Sequence, residues 1–320
     1  MFYTIRHVTR FRYSEPVRES VMELYLQPRS DGGQRLRSFK MQLQPHAQPF
    51  GYTDYLGNAV YHFDVPGAHE ELTISTESTV EVEAGQAVPT AVPQDAWAAL
   101  REAAARGDHW DMTSPSRFAR PSAALADFEA GLGIDRATDP LTALLALNAQ
   151  IYRGIAYDGS HTHVHSPIED ALRNRKGVCQ DFAHIMTAIV RGWGIPCRYV
   201  SGYLYHGRAD THDRSDPSAS HAWVEIWLPD IGWIGFDPTN DAVVAERHIR
   251  VAIGRDYADV PPVHGTYKGQ AESELAVAVT VTPTEKPVQH EVFLRIVRPM
   301  PPGSRDPADD IFFQQQQQQQ

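Results

Sequence analysis

Hydrophobic positions follow two periods along this chain, and the change of period divides it. From residue 1 to about 90 the period is two. Tyr3, Ile5, Phe11 and Tyr13 occupy one parity, and Thr4, Arg6, Arg10 and Arg12 the other, as in a half-buried strand. Met22, Leu24 and Leu26 alternate next, then Phe39, Met41 and Leu43, with Ser30-Asp31-Gly32-Gly33 as the turn between them. A strand near Val60 to Val65 follows Leu56-Gly57-Asn58, and Leu72, Ile74, Val80 and Val82 share one parity in another. Several short strands with turn punctuation predict an antiparallel β sandwich or barrel-like domain. Nothing in it demands catalysis, so it reads as a structural or substrate-presenting domain.

After the linker at residues 88–93 the period becomes helical. Residues 95–106 are Ala-rich and amphipathic, and a second helix over 121–132 is ended by Gly133. A third starts at Thr138 or Asp139 with Pro140 in its first turn, and a fourth covers 168–175. The most regular stripe lies beyond. Phe182, Met186, Ile189, Val190 and Trp193 repeat as the inward face of a buried helix, which Gly194-Ile195-Pro196 stops. Cys197 to Tyr205 reads as a strand. Cys179 therefore stands at a helix N-terminus, where the helix dipole favours an anionic sulfur.

A cysteine nucleophile needs a base and a group to orient that base. His221 opens the run His-Ala-Trp-Val-Glu-Ile-Trp-Leu, residues 229–232 make a turn, and Trp233 to Phe236 runs back to Asp237. The pattern predicts a β-hairpin. If Asp237 falls opposite Trp223, it lies one diagonal step from His221 on the same face, within side-chain reach. A slip of one residue would separate them.

The runs GVCQDFAH, GIPCRYVSGYL and SHAWVEIWLPDIGWIGFDPTND resemble the transglutaminase-like superfamily of papain-like cysteine enzymes, in the bacterial branch with an extra N-terminal β domain. Asp54-Tyr55-Leu56-Gly57-Asn58 fits that branch too. The resemblance implies an α+β fold: a papain-like core, with the cysteine helix packed on an antiparallel sheet, behind the β domain. It implies Cys179 as nucleophile, His221 as base and Asp237 as orienting acid. Asp181 stands two after the cysteine, where the animal enzymes carry an apolar residue, and their calcium-binding insertions have no visible counterpart. The expected organisation is an N-terminal domain over 1–90, a helical connector over 91–137, a catalytic core over 138–270, a terminal hairpin over 271–300 and a Gln-rich tail over 301–320.

Composition narrows the function. The chain has 320 residues, 42% of them hydrophobic, enough for two domains. A formal net charge of -11 argues against a general nucleic-acid binder. Two cysteines are no disulfide framework, although a bond between Cys179 and Cys197 stays open at this point. The first fifteen residues lack the apolar region of a signal peptide, and no apolar run approaches membrane-spanning length. The expectation is a cytoplasmic protein that acts on a peptide or protein, with no membrane partner.

Other residues carry weaker signals. His161, His163 and His165 alternate, and on one strand face they could ligate zinc. No cysteine or Glu-x-x-His completes a set, so no metal and no cofactor are expected. His184 reads as a core or groove histidine, Asp181 as a helix-capping acid, and Trp223, Trp227 and Trp233 as core and groove walls. The polar loop 206–220 and the irregular stretch 255–269 are expected to border the site. Leu275, Val277, Val279 and Val281 alternate, as do Val292, Leu294 and Ile296, which predicts the terminal hairpin. Seven glutamines, Gln314 to Gln320, form a low-complexity tail.

The chemistry implied is acyl transfer through a thioester, with hydrolysis of a peptide or amide expected first. Transfer to an amine and a non-catalytic binding module are the alternatives.

Overall fold

The computed structural model describes residues 1–83, 88–93, 95–207 and 213–284. The predicted strand over 292–296 and the glutamine tail lie outside them.

Five strands begin the chain: β1 (Phe2–Leu24), β2 (Gln34–Gln44), β3 (Phe50–Thr53), β4 (Ala59–Val65) and β5 (His69–Val82). The pattern of Tyr3 to Tyr13 and that of Met22 to Leu24, which read as two strands, belong to one 23-residue strand. Its first half pairs with β5, the pairing slips between Arg12 and Val17, and its second half pairs with β4. Glu19, at φ 48°, takes a left-handed conformation just beyond, where a second register shift falls between Arg18 and Ser20. β1 thus changes partners at a bend and joins two sheet segments, the device that builds corners in packed sheets.

Helices follow: α1 (Ala96–Arg106), α2 (Trp110–Thr113), α3 (Ala123–Leu132) and α4 (Pro140–Gly154). Asp139 caps α4, accepting the N–H groups of Leu141 and Thr142, with Pro140 in the first turn. The short strand β6 (Ala156–Tyr157) then pairs in parallel with β7 (Lys176–Gly177), across α5 (Ile168–Asn174). The central helix is α6 (Cys179–Gly192). Phe182, Ile185, Met186, Ile189 and Val190 on it are fully buried. Phe128 of α3 and Leu144 and Leu147 of α4 share that core, so the helices over 96–154 pack on the catalytic half.

β8 (Cys197–Leu204), β9 (His221–Leu228), β10 (Gly232–Asp237), β11 (Ala242–Val243) and β12 (His248–Gly254) complete an antiparallel sheet in the order β11-β10-β9-β8-β12. Ala222, Val224 and Ile226 of β9 join the α6 core, whereas Trp223 packs in a separate cluster with Val200 and Ile253. A helix packed on an antiparallel sheet behind a β domain is the expected α+β architecture.

The last two described strands return to the β domain. β13 (Val263–Lys268) pairs with the second half of β1 and β14 (Ser273–Thr284) with its first half. The two halves also share one hydrophobic core, in which Tyr3, Ile5 and Val80 meet residues of α6. Asn58 is a polar clamp between them. Its amide donates to Ile253 O at 2.8 Å and accepts from Ile253 N–H at 2.9 Å, while Asp54 accepts the other Asn58 amide contact at 2.8 Å. Asp54 also caps the N–H groups of Leu56 and Asn58, which accounts for the Asp-Tyr-Leu-Gly-Asn run.

Candidate active site

The site forms where the N-terminus of α6 meets the first residue of β9 and the last of β10. The hairpin pairs Gly232 with Leu228 and Phe236 with Val224, the register that carries Asp237 opposite Trp223. Asp237 and His221 consequently share a face. His221 Nε2 lies 2.7 Å from Asp237 Oδ2, and both side chains are buried. His221 Nδ1 is buried and has no hydrogen-bond partner. His221 borders the same pocket as Cys179.

The electrostatics favour a charged pair. Burial works against an imidazolium at His221, but the Asp237 charge, the hydrogen bond to it and the nearby Cys179 overcome that, raising His221 to about 10. Burial likewise opposes the Asp237 carboxylate, and His221 with His248 holds it far below the usual carboxylate range. Two further donors fix the carboxylate: Asn240 Nδ2 at 2.8 Å from Oδ2 and Thr239 N–H at 3.0 Å from Oδ1.

His248, the first residue of β12, is also within 3.2 Å of Asp237 Oδ2. Pattern reading gave no reason to single it out, because it opens an ordinary strand and reaches Asp237 only through the fold. His221, Asp237 and His248 are the one group of potential metal ligands among the described residues. Their nitrogens are engaged with the carboxylate as hydrogen-bond partners, which is the structural use of the cluster.

The turn before Cys179 is locked by Asp181. Its Oδ2 accepts Val178 N–H at 2.8 Å and the Thr162 hydroxyl at 2.7 Å. Gly177 is required there, since a Cβ would lie 2.7 Å from that same oxygen. Asp181 is thus a buried latch on the turn before Cys179, the capping role expected of it. The backbone N–H groups of Cys179 and Gln180 open the helix, where no preceding turn supplies an acceptor. Both cysteines are free, with Cys179 partly exposed and Cys197 buried.

A pocket of about 470 Å³ opens over Cys179. Tyr157, Tyr199 and Tyr257 line it from the catalytic half, and His7, Leu275 and Val277 from the β domain. The aromatic walls are these tyrosines. Of Trp223, Trp227 and Trp233, expected as core and groove walls, none borders the thiol pocket; Trp223 is a core residue, packed with Val200 and Ile253, and Trp227 and Trp233 pack against His109. Tyr157 reaches the site because β6 pairs with the strand leading into Cys179, with Tyr157 opposite Gly177. Burial and then the Cys179 charge push its phenol up to about 12. Among the described residues Asp216 is the one Asp, Glu, Lys or Arg side chain along the pocket wall.

The remaining candidates fall away from the thiol chemistry. His161 contacts Ser160 and Asp158 in a turn, so His161, His163 and His165 share no strand face. His184 is fully buried. It stacks on Phe118 and accepts Tyr257 N–H at 3.1 Å, and burial lowers it to about 3. Of the polar loop, Asp216, Ala219 and Ser220 border the pocket, and of the irregular stretch, Tyr257, Pro262 and Val263 do.

Comparison with known proteins agrees with this geometry. Residues 131–238 match the transglutaminase-like superfamily, and residues 3–81 match the bacterial transglutaminase-like N-terminal region. An uncharacterised protein of Mycobacterium leprae is 34% identical over 276 residues, covering 86% of this chain and 96% of its own. The crystal structure of a candidate cysteine protease from Cytophaga hutchinsonii superposes with a TM-score of 0.68 at 20% identity, over 91% of this chain and 94% of that one. A protein-glutamine gamma-glutamyltransferase of Pseudomonas aeruginosa is 33% identical over 102 residues, 30% of this chain and 15% of that protein.

Proposed function

Because the chain belongs to the transglutaminase-like superfamily, with the N-terminal region of its bacterial branch, we propose that it carries out cysteine-dependent acyl transfer on peptide or amide substrates. The observation that carries this reading is the His221–Asp237 contact of 2.7 Å, which leaves Nδ1 of His221 as the ring nitrogen on the Cys179 pocket.

The sulfur of Cys179 adds to the carbonyl carbon and the carbonyl oxygen becomes an oxyanion. Backbone N–H groups at the start of α6 stabilise it, aided by the helix dipole. Protonated His221 gives its Nδ1 proton to the leaving nitrogen, the carbon–nitrogen bond breaks, and a thioester remains. Neutral His221 then takes a proton from water as its oxygen attacks the thioester. The acid leaves, and the sulfur and imidazole return to their starting state. Asp237 fixes the ring orientation and balances the imidazolium charge throughout.

Hydrolysis is our first reading, since water needs no dedicated site. Transfer to an amine is the second reading. The Pseudomonas aeruginosa relative is named as a gamma-glutamyltransferase, and the Asp216 carboxylate at the pocket wall suits a cationic amine. Two cysteines without a disulfide suit the reducing cytoplasm, where we place the protein.

The test is product analysis by mass spectrometry, with a glutamine-containing peptide and a peptide anilide, each with and without a primary amine. We expect acid products, and none of either kind with Cys179→Ala, whose circular dichroism and melting temperature should match the wild type. Full turnover by Cys179→Ala would refute the assignment.

A further inference from the structure

We propose that the edge of β14, which pairs with no strand among the described residues, receives an extended peptide, so that the substrate of the Cys179 pocket is a polypeptide segment held as an added strand. This rests on the reading of Cys179 as nucleophile.

Backbone direction is the first observation. Val279 N–H donates to Ser218 O at 2.8 Å, so it points away from β1. β14 pairs with β1 without a register shift from Ser273 to Thr284. In an antiparallel strand alternate residues direct both backbone groups to the same side. Leu275 and Val277 share the parity of Val279. Their N–H and C=O groups therefore also point outward, and among the described residues no partner takes them.

Position is the second. The side chains of Leu275 and Val277 line the pocket that holds Cys179 and His221, and Ala219 and Ser220, next to Ser218, border it too. A strand laid along this edge would run beside the thiol. One of its carbonyls or side-chain amides could then enter between Tyr157 and Tyr199.

Composition is the third. Exposed edge strands usually carry a lysine, an inward charge or a bulge against unwanted pairing. β14 carries Glu274 at its start and Pro283 near its end, and from Leu275 to Thr282 neither a charge nor a proline. Leu275 is 56% and Val277 44% exposed. Among the described residues the pocket wall offers no lysine or arginine to a free carboxylate. This suits the interior of a peptide better than its C-terminus. Main-chain bonds to such an edge supply affinity, and alternate side chains supply selectivity.

The test compares two alkylating reagents on the full chain: iodoacetamide, and an iodoacetyl-Gly-Val-Thr-Val-Thr amide. In each the Cys179 sulfur displaces iodide, so the rate ratio reads peptide docking alone. We expect the peptide reagent to react at least about tenfold faster, equal to ~1.4 kcal/mol. Val277→Pro removes the outward N–H and leaves the β1 ladder intact, because proline is tolerated where the N–H faces out of a sheet. It should abolish the rate advantage of the peptide reagent over iodoacetamide. A peptide reagent N-methylated at alternate amides should lose the advantage on the unaltered protein, which needs no variant to fold. Equal ratios in wild type and Val277→Pro, or no advantage at all, overturn the proposal while the nucleophile stands. A dimer that Val277→Pro splits, with the ratio unchanged, assigns the edge to a second copy and also overturns it. Negligible reaction of Cys179 with either reagent defeats the nucleophile reading itself.

Discussion

His248 Nε2 lies 3.2 Å from Asp237 Oδ2, the same oxygen that His221 approaches at 2.7 Å. Burial lowers His248, so it is neutral. Its Nδ1 accepts Ala245 N–H at 3.4 Å, which leaves the proton on Nε2 and aims it at Asp237. Asp237 is therefore held by histidines from two strands, one of them at the far end of the sheet.

His248→Phe should keep the volume and remove the donor. A buried acceptor that loses a hydrogen bond costs about 1–3 kcal/mol, so kcat/KM should fall roughly 10- to 100-fold. His248→Gln, which can still donate, should recover most of the loss. Matching losses in both variants would show that His248 acts only by filling space.

The pH dependence follows from His221. Its ordinary value of 6.5 is raised to about 10 in the fold. A raised value means that the pair with Asp237 contributes fully below pH 6.5 and loses its contribution as pH rises through about 10. Asp237 is depressed, so its share disappears only in strong acid. The stability difference between wild type and His221→Asn should thus shrink steadily from pH 7 to pH 10 in urea titrations. A constant difference would contradict the charged pair.

Cys197 should be silent in the native protein. It is fully buried, and burial pushes its thiol up to about 11 despite the nearby Arg191. At pH 8 iodoacetamide should label one thiol per chain in the native state and two after denaturation. Cys179→Ala should leave none labelled in the native state.

Asn58→Ala should loosen the junction between the β domain and the catalytic half. It would orphan both the N–H and the C=O of Ile253. The expected loss is about 3 kcal/mol or more by urea denaturation, with a lower kcat/KM as the pocket walls separate. Asn58→Asp should be no better, since a carboxylate would face the Ile253 carbonyl.

Much of the site was legible because short-range rules determine it. Cys179 announced itself through a helical stripe and its stop signal. His221 and Asp237 met because a tight turn at residues 229–232 set the register, which Phe236 opposite Val224 confirms. The rest depended on contacts distant in sequence. Nothing local marks His248 as a partner of Asp237. The bend of β1 was hidden because both halves alternate normally, and only β4 and β5 distinguish them. The tyrosines displaced the tryptophans as pocket walls because the strand parity that buries Ala222 and Val224 against α6 turns Trp223 to the other side of the sheet.

β1 leaves the ribosome well before its partners β13 and β14, which follow the whole catalytic half. Domains usually fold in order as they emerge. Here the first cannot close before the second is made, since two strands of its sheet are still to be translated. The wall formed by Leu275 and Val277 is missing until then. A nascent chain that already carries Cys179, His221 and Asp237 but lacks β14 has only part of the wall around its pocket.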